Sequence, residues 1–220
     1  MKEIWKKAIL ILLLIGMLAL MSACATDGKT DSVELSAAQR ESLMRQVADS
    51  DVADSYSTYL RDEAFATAEV FGVDRGGDLG TAYVYLYEGE FVELKGKAYE
   101  MSGSAGEVIL RFRFEGDDVT LTEVQWSADG GEHEPWLNRN FPAAYLQRAK
   151  SYAAHDENGK SILGEQLKKT VEEAMGVPVE TDDLLFVDTE AGTYRIVRPI
   201  TGADGSFDTE TVETGNLSDL

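Results

Sequence analysis

From Ala64 to Trp126 the side chains alternate in character with a period of two, and turn-forming clusters interrupt the pattern. Successive side chains of a strand point to opposite faces, so this alternation specifies strands that press one face on a core. The interruptions are too short to hold a helical crossover, which leaves antiparallel pairing of consecutive strands. "AFATAEVFGV" reads as a strand closed by "DRGGDLG", and "TAYVYLYE" and "FVELKGKAYEM" read as strands to either side of Gly89. "VILRFRF", the acidic turn "EGDD" and "VTLTEVQW" make a hairpin. The intervening "MSGSAGE" reads as a flexible connection between strands.

Helical signals flank this meander. "LSAAQRESLMRQVADS" sets Leu43, Met44, Val47 and Ala48 on one stripe behind Ser36, an N-cap residue. "DVADSYSTYL" either continues that helix or begins another turn. After Pro135 comes "WLNRNFPAAYLQRAKSYAA", with Pro142 opening a helix, then "SILGEQLKKTVEEAMG", closed by Gly176. Leu163, Leu167, Val171 and Ala174 form the stripe of that last helix. "DLLFVDTEAGTYRIVRPI" is a final hairpin, and residues 202–220 carry five acids and no base, the composition of a frayed tail. The expected class is α+β: a mostly antiparallel sheet, a meander, packed on helices, cystatin-like or NTF2-like, with C-terminal helices and a hairpin.

The N-terminus sets the expected location. Lys2, Lys6 and Lys7 precede a charge-free stretch of 16 residues, Ala8 through Ala23. As a helix it reaches about 24 Å, short of a hydrocarbon core of roughly 30 Å, and it suits the apolar region of a signal peptide. Small Ser22 and Ala23 then precede Cys24, the single cysteine. The run resembles the lipobox of bacterial lipoproteins, with Met21 where leucine is usual. The resemblance implies cleavage before Cys24, diacylglycerol on its thiol, and a lipid anchor on the extracytoplasmic face of the cell membrane; the competing readings are an ordinary signal peptide with an incidental cysteine and an uncleaved membrane anchor. Two acyl chains on one residue hold a soluble domain stably. The expected organisation is residues 1–23 as signal peptide, 24–34 as lipidated Cys24 and tether, 35–201 as one α+β domain and 202–220 as a disordered acidic tail.

Charge excludes some partners. The chain has 20 basic and 40 acidic residues, a net charge of −20. Removal of residues 1–23, which hold Lys2, Lys6, Lys7 and Glu3, leaves 17 basic and 39 acidic residues, or −22. Such a surface repels phosphate backbones, so nucleic acid is not a partner.

Motifs of chemistry are sparse. No Gly-Xaa-Ser-Xaa-Gly elbow, zinc-binding helix or phosphate loop occurs. Glu132-His133-Glu134 reads as a solvated loop. His155 begins a stretch in which Asp156, Asn158, Gly159 and Glu165 fit positions 3, 5, 6 and 12 of a calcium loop. Ala154 stands at position 1 without a side-chain oxygen, so the stretch reads as an interhelix turn. No catalytic residue, metal ligand or cofactor is expected. The candidate binding residues are Tyr83, Tyr85, Tyr87, Arg111 and Arg113, which alternate with apolar residues on their strands. An aromatic and cationic sheet face suits an anionic ligand or a peptide. The competing reading has the Tyr rings packed under the C-terminal helices and the arginines neutralising nearby acids.

Residues 62–142 resemble a family of uncharacterised lipoproteins from Gram-positive, Firmicutes-type bacteria. The matching runs are "EAFATAEVFGVDRGGDLGTAYVYLYEGEFVE", "SGSAGEVILRFRFEGDDVTLTEVQWSADG" and "NFP". In that family an acidic-turn hairpin leads to an aromatic residue, an Asp-Gly and a Phe-Pro, here Trp126, Asp129-Gly130 and Phe141-Pro142. The family's histidine in the first strand is replaced around Ala68, and its aromatics after Asp-Gly give way to Glu132-His133-Glu134. The resemblance implies a small extracytoplasmic α+β domain and no particular activity. The expected function is non-catalytic binding, to an envelope protein or an anionic ligand. The alternatives are a small envelope hydrolase with a carboxylate or metal site, and a structural spacer or inhibitor of a surface enzyme.

Overall fold

The computed structural model describes residues 31–50, 60–201 and 207–220. The expected signal peptide, Cys24, the expected tether as far as residue 30, the continuation "DVADSYSTY" and residues 202–206 lie outside the described residues. In order, the elements are β1 (Asp31–Ser32), α1 (Ala37–Ser50), β2 (Arg61–Gly76), β3 (Leu79–Leu94), β4 (Lys97–Glu115), β5 (Asp118–Trp126), α2 (His133–Asn140), α3 (Ala143–Ser151), α4 (Ile162–Met175), β6 (Leu184–Asp188), β7 (Thr193–Thr201) and β8 (Phe207–Asn216). The class is α+β: a five-stranded sheet in the order β1-β2-β3-β4-β5 and a three-stranded sheet β6-β7-β8, with helices packed on the meander.

The strands are longer than the sequence pattern shows. β3 runs through Gly89 without a break, and the chain turns at Lys95–Gly96 instead. Both turn residues have positive φ, 54° and 75°, the geometry a two-residue hairpin needs to match strand twist. "MSGSAGE" is strand rather than connection, because β3 offers a continuous ladder and backbone pairing needs no side chain. The expected frayed tail is also strand: residues 207–216 pair with β7, and Leu217 beyond them is 1% exposed. At the other end the ordered body begins earlier than residue 35, with the Val33 N–H donating to the Val73 carbonyl at 3.0 Å.

Pleat alternation sorts the large sheet into two faces. Val84, Leu86, Leu110, Phe112 and their neighbours meet Leu43 and Val47 of α1. Ser36 caps α1 as expected, its Oγ accepting from the Gln39 N–H at 3.2 Å while Gln39 Oε1 accepts from the Ser36 N–H at 3.0 Å. The opposite face carries Ile109, Tyr83 and Tyr85 under Trp136, Leu137 and Phe141. Further along that face, α4 sets Leu167, Val171 and Met175 on Phe91 and Ala98. Ser161 Oγ caps α4 by accepting from Gly164 N–H at 3.0 Å, and Gly176 closes it. The small sheet packs Leu185, Tyr194 and Ile196 against Val92, Leu94 and Tyr99.

Candidate functional site

The Tyr row lies on one sheet face, as alternation requires, but that face is covered. A bulge at Phe71 turns its ring under the helices, and Gly72 leaves room for Tyr145 of α3. A Cβ at Gly72 would lie 2.1 Å from the Tyr145 ring. Tyr83 then meets Phe141 edge-on and Tyr145 at a tilt, with centroids 5.2 and 5.3 Å away, and Tyr85 meets Tyr152 at 5.0 Å. Tyr87 lies under α4 and donates its hydroxyl to Glu100 Oε1 at 3.0 Å. Burial pushes the Tyr83 and Tyr85 hydroxyls up, and pushes Tyr87 up to about 12, with Glu100 adding to the rise.

The arginines share the Tyr face in register but are engaged by carboxylates. Arg111 lies across from Glu123 and pairs with it at 2.7 Å, and Arg113 pairs with Asp78 at 2.9 Å. Both are half exposed at the end of the sheet that the helices leave open. The structure therefore does not assemble Tyr83, Tyr85, Tyr87, Arg111 and Arg113 into one open surface. The physical reason is that α2 and α3 have apolar stripes of their own to bury, and amphipathic Tyr rings accept such cover.

The histidine readings change in detail. Glu132-His133-Glu134 is no loop: it starts α2. His133 Nε2 lies 2.8 Å from Oε2 of buried Glu107, while Glu134 turns to Lys150 at 2.9 Å. Asp156 closes a turn on its own backbone, accepting from the Asn158 and Lys160 N–H groups at 2.8 and 2.9 Å, which holds its carboxyl below the usual range. Glu165 faces Lys160 at 3.9 Å. Among the described residues no three His, Cys, Asp or Glu side chains converge to hold a metal ion.

A groove was not anticipated from the sequence. It has a volume of about 820 Å³ and follows the outer edge of β2 between α1 and α4. Its floor is Ala64 through Ala68 of β2, its walls Met44 and Ala48 of α1 and Thr170 and Ala174 of α4. Small side chains at Ala64, Ala66 and Ala68 open the space, since bulkier residues there would fill it against Met44. Five carboxylates line it (Glu41, Asp49, Asp62, Glu63 and Glu90) against the two guanidiniums of Arg40 and Arg45. The alanine alternation was the available signal, but it reads equally well as a weak core face. Comparison with family models, curated proteins and solved structures finds no match to the chain.

Proposed function

We propose that the chain is a lipid-anchored extracytoplasmic lipoprotein, held at the cell membrane through Cys24, whose folded body is a non-catalytic binding module of the cell envelope. The groove between α1 and α4 carries this reading: it has the volume for a ligand, is mostly apolar in character and is rimmed by carboxylates. The lipobox-like run ending at Cys24 and the excess of acids support the location. The lipoprotein family resembled over residues 62–142 supports the same assignment.

Position-specific photocrosslinking in the native envelope tests it. A benzophenone side chain placed at Glu41 or Thr170, on opposite walls, should give a discrete adduct. The same group at Glu190, in the distant β6–β7 turn, should not. Equal labelling at all three positions, or none at the groove, overturns the binding assignment. Loss of lipid labelling in Cys24→Ala is the expected result for the anchor, and unchanged labelling sinks it.

A further inference from the structure

The groove floor is a sheet edge. β3 pairs with one side of β2 along its whole length, while β1 spans only Asp31–Ser32 and sits near Val73. Among the described residues no strand pairs with the outer side of Glu63 through Glu69. Alternate residues there direct both N–H and C=O outward, which is a template for one more strand. Seven residues span about 23 Å, the length of a short added strand.

Pleat alternation divides this edge into two rows. Ala64, Ala66 and Ala68 share the face of Leu86 and α1. Glu63, Phe65, Thr67 and Glu69 share the face of Tyr87 and α4. An incoming strand sets its own side chains opposite these rows. Toward α1 it meets alanines and Met44, where medium-sized apolar side chains fill space. Toward α4 it meets Phe65 and Thr67 flanked by Glu63 and Glu69, exposed carboxylates that already pair with Arg61 and Arg148, so a cation of the incoming strand exchanges with two solvated pairs.

We propose that the groove takes an extended peptide segment of another protein, alternating apolar and cationic residues, which adds as a strand to the outer edge of β2. This rests on the groove being the binding site. Main-chain hydrogen bonds supply affinity, and the two rows supply the pattern that is read. A second copy of the chain is a poor occupant. Each copy has a net charge of −20, and a two-fold axis centred on Ala66 would set Glu63 against Glu69 on both sides.

The test uses the full-length chain in detergent micelles and three synthetic decapeptides. One alternates lysine and valine, one has the same composition in two blocks, and one is the alternating peptide with every second amide N-methylated. The alternating peptide should bind at least about tenfold more tightly than the other two by calorimetry, a difference of roughly 1.4 kcal/mol. It should protect the amides of Glu63 through Glu69 from hydrogen exchange. Glu63→Lys should weaken it and favour the glutamate–valine counterpart. Equal affinity for the three peptides, or protection confined to other segments, overturns strand addition. So does self-association of the free chain through β2. If crosslinks at Glu41 and Thr170 persist while the peptides show no preference, strand addition fails and the groove remains the binding site.

Discussion

Gly80 and Phe112 make a sign-reversing pair. They lie directly opposite each other on β3 and β4, and the Phe112 ring, 1% exposed, covers the glycine. A Cβ at Gly80 would lie 2.4 Å from that ring. The ring has little freedom to retreat, because Phe114 packs edge-on at 5.2 Å and α1 closes the layer. Gly80→Ala alone is therefore overpacked and should cost about 1–3 kcal/mol. Phe112→Ala alone loses the ring's burial and leaves a cavity, about 3–5 kcal/mol. For a body of this size that is a fall of roughly 6–20 °C in melting temperature. In the double variant the new methyl enters the cavity, and alanine loses less chain entropy than glycine in a strand. There Gly80→Ala should stabilise by roughly 0.5–1 kcal/mol, a coupling of about 1.5–4 kcal/mol. Urea unfolding followed by tryptophan fluorescence, compared at constant m, measures all four corners of the cycle. Arg113→Gln is the control for the opposite face and should cost about 1 kcal/mol at most, since its pair with Asp78 is solvated. Equal cost of Gly80→Ala in both backgrounds would refute the packing argument. So would a loss in Arg113→Gln as large as that in Phe112→Ala.

Tyr87 makes alkaline stability pH-dependent. Its hydroxyl is raised from 10.0 to about 12, so both states are neutral below 10 and the unfolded chain loses its proton first above it. Stability should fall between those values by a component absent in Tyr87→Phe, measured by chemical unfolding at stepped pH. Asp183 is buried and accepts two hydrogen bonds from Arg198 across the β6–β7 hairpin, at 2.7 and 3.0 Å. Arg198→Leu should cost about 1–3 kcal/mol by stranding that carboxylate, and a neutral outcome in thermal unfolding would show that water replaces the guanidinium. Leu217→Ala should cost about 2–5 kcal/mol, because the last turn seals the small sheet's core. A value near zero in the same assay would return residues 207–220 to the status of a tail.

Most elements were legible because their local signals agree. Leu163, Leu167 and Val171 of the α4 stripe are buried as their spacing requires, between the Ser161 cap and Gly176, but Met175 completes the stripe and Ala174 is exposed. β8 was not legible. "FDTETVETGN" has no apolar row, and it forms a strand because β7 presents an unpaired edge, which no local window contains. The Tyr row shows the same limit in another form. Alternation placed Tyr83, Tyr85 and Tyr87 on one face, but only α2–α4, far along the chain, decide that the face is covered. The groove was hidden for a related reason: an alanine row signals small volume, not whether a neighbour fills it.

Two edges of the large sheet differ in what they offer an added strand. Among the described residues the outer side of Ser102 through Gly106 on β4 also pairs with no strand, since β5 reaches only to Val108. That segment is serine, glycine and alanine, poor strand formers with little side chain to hold a partner, which discourages adhesion without any cover. β2 is different: Phe65, Thr67 and Val70 are competent strand residues, and α1 and α4 stand on either side of them. The rim carboxylates at Glu41, Asp49 and Glu63 then penalise acidic segments, including those of this chain itself. On the proposed strand addition, the acidic rim and a net charge of −20 disfavour pairing of this edge with a second copy of the chain. The proposed occupant, a single extended strand carrying positive charge, meets no such penalty.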